Sequence, residues 1–129
     1  MTSRPLSGEA LQFRLNEEIE RTMDAGILAR SGRNARTLIK EGALRMTVIT
    51  LAAGGGIPDH TAEGPILVHV LRGGLRFSVG DTAHELGEGD AIAIPARMRH
   101  ELRSEQGASF LLIISHPETV RRSDLEEAT

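Results

Sequence analysis

The sequence predicts an all-β barrel or sandwich preceded by a short N-terminal helix. Three observations carry that prediction. Short apolar runs rich in β-branched residues recur between residues 35 and 116, and glycine-centred turns separate them. The glycine-bounded segments 54–60 and 89–100 each end on a histidine beside such a run. Many short strands at regular spacing build sandwiches or barrels, and strand-end histidines on two of them would aim at one interior.

A chain of 129 residues suits one domain able to bury roughly two thirds of the surface of its unfolded form. We divide it into an N-terminal extension with a short helix (1–34), a β-barrel (35–116) and a polar C-terminal tail (117–129). There is no cysteine, which excludes disulfides, thiolate metal ligands and a cysteine nucleophile. Tyrosine is also absent, so proton transfer falls to His, Asp, Glu and the single lysine, Lys40. With 15 basic and 18 acidic side chains, a net charge of -3 and three phenylalanines, the chain lacks the basic face and stacking platforms of a nucleic-acid binder. No run reaches the ~18 apolar residues of a membrane span, and the start MTSRPLSGEALQF has no signal-peptide core. The expectation is a soluble cytoplasmic protein without nucleic-acid or membrane partners.

Leu15, Ile19 and Met23 recur at helical spacing, with Asn16 as candidate N-cap, acidic residues in the first turns and Gly26 as a stop. This helix would cover an end or edge of a sheet. The chain turns at 32–34, then 35–41 and 44–51 read as a strand pair around Gly42. The triple glycine 54–56 suits unusual dihedrals or close backbone approach. A phosphate cradle there lacks the P-loop lysine and hydroxyl. Further strands are expected over 57–62, 66–72, 75–79, 83–86, 91–94, 100–104 and 108–116, separated by turns at 73–74, 80–81, 87–90 and 105–107. Ser123 and Glu126 have capping-box spacing, but a frayed charged tail is the simpler reading.

The two histidine segments resemble the paired signature motifs of the cupin superfamily. The second motif is matched by Gly89, five residues, Pro95 and then His100, with Arg97 where the family often has glycine and Ser104 where it often has asparagine. In the first, Gly54, five residues, His60 and the closing Gly73 are in register, whereas Ala62 stands at the second histidine position and Ile66 at the glutamate. The resemblance spans residues 44–115. It implies a double-stranded β-helix, the cupin jelly-roll barrel of the RmlC-like kind, commonly dimeric and host to oxygenases, isomerases, decarboxylases, storage proteins and sensors.

On a strand, residues two apart share a face, so a His-x-His pair with a carboxylate and a third histidine encloses one ion. Two of those four ligands are hydrocarbon here. What is left is His60 and His100, as ligands of a divalent transition metal (Zn, Fe, Mn, Ni or Cu) or as neutral imidazoles lining a cavity. His69 supplies a third ligand only if Gly64-Pro65 shifts the register by one; on an unbroken strand it faces away. The expected ligand pocket comprises His60, Ala62, Ile66, Val68, Met98 and His100. Arg97 and Arg99 stand either at the pocket mouth, facing an anion, or in a solvated loop. Glu63, Glu101, His84 and His116 read as peripheral. Two functions remain open: a cupin binding a small molecule or metal in its interior, and a metal-dependent oxygenase or isomerase using His60 and His100. An apolar first strand could in either case pair two subunits into a homodimer.

Overall fold

The computed structural model describes residues 8–115. His116 and the tail, with its Ser123–Glu126 spacing, lie outside the described residues. Two short helices, α1 (Leu15–Thr22) and α2 (Ala25–Ser31), precede nine strands: β1 (Arg33–Glu41), β2 (Leu44–Leu51), β3 (Gly56–His60), β4 (Ile66–Gly73), β5 (Leu75–Val79), β6 (Thr82–Leu86), β7 (Ala91–Ile94), β8 (His100–Arg103) and β9 (Ala108–Ser115). The strands form a five-stranded sheet in the order β1-β2-β9-β4-β7 and a four-stranded sheet in the order β3-β8-β5-β6. All pairings are antiparallel.

The helical segment departs from expectation at its caps. Arg14, not Asn16, precedes the first turn of α1, and no side chain caps it. Gly26 does not end the helical region but lies inside α2, whose Asp24 side chain accepts a hydrogen bond from the Ile27 amide at 3.0 Å. That bond satisfies an N-terminal amide that would otherwise lack a partner. Gly32, at φ 77°, closes α2 in the left-handed conformation that glycine adopts without strain.

The core has two layers. Ile49, Leu51, Ile66, Val68, Val70, Leu75, Phe77, Ile94, Leu102, Ala108 and Phe110 cluster between the sheets. On the outer side of the five-stranded sheet, Ile19 of α1 packs with Leu38, Ile39, Val48 and Leu111. A buried hydroxyl chain fastens this cover: Thr22 Oγ1 donates to the Ile19 carbonyl, so it accepts from Thr50 Oγ1 (2.6 Å), which in turn accepts from Ser109 Oγ (2.7 Å). Glu18, also buried, receives Arg36 of β1 at 2.6 Å and Arg21 at 3.0 Å.

The triple glycine serves both expected ends: Gly54 takes a left-handed φ of 78°, and Gly55 and Gly56 allow close packing. A Cβ on Gly55 would collide with the Gly32 carbonyl oxygen, and one on Gly56 with that of Leu102. At the motif-closing Gly73, φ 75°, a Cβ would likewise collide with the Gly107 carbonyl oxygen.

Candidate functional site

Each sheet contributes one row of residues to the same end of the interior. In the four-stranded sheet, His60 at the end of β3 pairs with His100 at the start of β8, which pairs with Val79 of β5. In the five-stranded sheet, Arg45, Ile114, Ile66 and Ile94 are successive cross-strand partners. The rows share an end because residues 61–65 join His60 to Ile66 and residues 95–99 join Ile94 to His100.

The imidazoles of His60 and His100 meet, their centroids 4.2 Å apart and their planes inclined at 59°. Phe77 stacks on His100 at 5.3 Å with the rings within 7° of parallel. His100 is 2% exposed, whereas His60 is half-buried. Nδ1 of His60 lies 2.8 Å from the Pro58 carbonyl oxygen and Nδ1 of His100 lies 3.0 Å from that of Met98. A carbonyl oxygen can only accept, so Nδ1 donates in both rings and a neutral ring keeps its lone pair on Nε2. Burial, the largest effect, pushes the His100 pKa down; the neighbouring His60 adds to this, while the Met98 carbonyl and Asp59 oppose it. His100 is therefore neutral near pH 7.

Around the imidazoles the wall is hydrocarbon. Ile66 and Val68 belong to the interior cluster, and Ala62 packs against it. Met98 is 39% exposed; its carbonyl, which orients His100, is the part that reaches the site. The register of β4 decides the position of His69. Ile66, Val68 and Val70 are all interior, and His69 pairs with Leu111, a member of the outer layer. The strand irregularity falls between Val70 and Arg72, downstream of His69, so the register shift that would have made His69 a third ligand does not occur. His69 is on the opposite face from His60 and His100.

Arg99 forms an exposed ion pair with Asp59 at 2.8 Å. Arg97 is exposed, and its amide donates to the Ala62 carbonyl at 2.8 Å. Glu63 and His84 are exposed, while Glu101 is half-buried and pairs with Ser78. Phe77, which stacks on His100, does not stand out in the sequence, and neither does Arg45, two strands from Ile66 in the same row. The alternation along β2 was the available signal for Arg45, since it shares parity with the interior residue Ile49.

No group of three or more His, Cys, Asp or Glu side chains able to hold a metal ion occurs among the described residues. Ala62 and Ile66 have no donor atoms, and His69 is on the wrong face. The donor set does not fit a metal centre built from protein ligands alone.

Two antiparallel sheets enclosing an interior with strand-end histidines define a jelly-roll barrel of the double-stranded β-helix type. Residues 47–114 match the model of the cupin domain family, and the chain belongs to that family. A conserved protein of unknown function from Streptococcus pyogenes is similar over 92% of this chain and 98% of its own, with 25% identity and a TM-score of 0.71. An RmlC-like cupin from Shewanella frigidimarina has 19% identity, a TM-score of 0.67 and coverage of 87% and 95% of the respective chains. A single-substitution variant of the Bacillus subtilis oxalate decarboxylase matches 67% of this chain and 26% of its own, at 23% identity and a TM-score of 0.63. These likenesses speak to the fold. No curated protein matches.

Proposed function

We propose that this cupin binds a small organic molecule in its barrel interior, against His60 and His100. The observation that carries the reading is the pairing of two Nδ1-anchored imidazoles with a hydrocarbon wall made by Ala62, Ile66 and Val68. Apolar surface with a few oriented polar atoms is the usual make-up of a small-molecule site. Each free Nε2 accepts a hydrogen bond from a hydroxyl or amide, and the hydrocarbon takes up the apolar part of the ligand. The test is native mass spectrometry of freshly purified protein, beside an Ala62→Phe variant that fills the site. A small molecule retained by the parent and lost from the variant supports the reading; equal retention sinks it.

A second reading, a metal-dependent oxygenase or isomerase using His60 and His100, is favoured by one observation. An imidazole whose Nδ1 donates to a carbonyl presents Nε2 as metal-ligating histidines do. Elemental analysis of the parent and of a His60→Ala, His100→Ala variant separates the readings. Stoichiometric metal that vanishes in the variant supports the second, and a metal-free parent removes it. The site requires no oxidising compartment, and we place the protein in the cytoplasm, to be checked by fractionation.

A further inference from the structure

The row containing Ile66 also contains a cation with no ion-pair partner among the described residues. Arg45 pairs with Ile114, which pairs with Ile66. Side chains directly opposite on adjacent strands share a face, and Ile114 packs against the interior cluster. Met46, the next residue along β2, packs in the outer layer. Arg45 is therefore on the interior side of β2, two strands and about 10 Å from Ile66.

Its environment is unfavourable to a lone cation. Arg45 is half-buried, and its Nε is closed off from solvent with no hydrogen-bond partner among the described residues. Lys40, the only lysine of the chain, stands directly opposite it on β1 with its own side chain exposed. Neither side chain forms an ion pair among the described residues. Like charges opposite one another destabilise a sheet, and a desolvated guanidinium donor without an acceptor adds to the cost. Isoleucine stands at the glutamate position in the same row, so this end of the interior has positive and no negative charge in that row. Such an arrangement repels a divalent cation and attracts an anion.

We propose that the mouth of the interior takes an organic anion, a carboxylate carrying a short apolar tail, and that Arg45 is the residue that recognises it. This deepens the interior-binding reading and rests on it. The guanidinium receives the carboxylate, for which its planar fork is suited. The tail lies along Ile114, Ile66 and Ile94 toward His60 and His100. A ligand of this kind supplies the acceptor that Arg45 Nε lacks and offsets the repulsion between Arg45 and Lys40.

The test titrates the full chain with hexanoate and with hexanamide, which share a tail and differ in charge, following the ring resonances of His60 and His100 by NMR. The expected result is that hexanoate shifts both rings and binds at least about tenfold more tightly than hexanamide. Arg45→Met should bring the two probes to within about twofold, and Arg45→Lys should keep a preference for the carboxylate. Without ligand, Arg45→Met should melt no lower than the parent, because it removes an unpaired charge and keeps the apolar stem. An arginine kept for structure would show the opposite. Equal ring shifts from both probes would overturn the anion proposal and leave interior binding standing. A carboxylate preference surviving in Arg45→Met would overturn the role of Arg45. No ring shift from either probe would overturn both the proposal and the interior-binding reading.

Discussion

Arg97 occupies a backbone conformation that side chains avoid. Its φ of 63° is the one positive value at a non-glycine residue among the described residues, at a motif position where glycine is frequent. The left-handed region costs a residue with a Cβ about 1–2 kcal/mol, partly balanced by the extra freedom glycine has when unfolded. We expect Arg97→Gly to stabilise the protein by about 0.5–1 kcal/mol in urea denaturation, with the amide bond to Ala62 kept. Loss of stability would show that the arginine side chain has a role its exposure does not reveal. His100 gives a pH prediction. Its pKa is lowered in the fold, so between the folded and unfolded values the unfolded chain binds more protons. Stability is full above the ordinary histidine value of about 6.5 and falls as pH drops below it, levelling off below the folded value. Urea midpoints measured from pH 7.5 to pH 5 should show this decline, and His100→Gln should flatten it.

At the scale of elements, most strands end within a residue or two of where the turns place them, and β2, β5 and β7 coincide with expectation. Glycine turns and β-branched runs are local signals, so they can be read without knowing the partner strand. The second helix was also legible in principle, through Asp24 three residues before Ile27 and Gly32 at its end. Its seven residues bury no side chain fully, which leaves almost no hydrophobic period to detect. The attachment of α1 is a different matter, because the chain Thr22–Thr50–Ser109 joins residues from three elements. Thr50→Val keeps the shape and deletes the middle link, leaving Ser109 without its acceptor and Thr22 without its donor. We expect a cost of about 1–3 kcal/mol, read by thermal or urea unfolding, and a double variant with Ser109→Ala should cost less than the sum of the two single changes.

At the scale of the whole molecule, the five-stranded sheet ends on β1, whose outer edge is a row of backbone groups able to pair with a second chain. We propose a homodimer through this edge. Light scattering should return twice the chain mass, and Lys40→Pro on β1 should shift the population toward monomer; a monomeric parent at working concentration would refute it. The sequence by itself determined the strands of the barrel and its turns, because these depend on residue type and short-range spacing; its resemblance to the cupin motifs implied that His60 and His100 face one interior and that Ala62 and Ile66 stand at ligand positions. Only the tertiary structure decided which way His69 faces, which nitrogen each imidazole offers and that Arg45 stands in the row of Ile66. The physical reason is that β4 carries apolar residues on both faces, Ile66, Val68 and Val70 buried in the interior cluster and Leu71 half-buried against the outer layer. A strand apolar on both faces loses the alternation that would announce its parity, and parity is then set by cross-strand register, which belongs to the partner strands as much as to the strand itself.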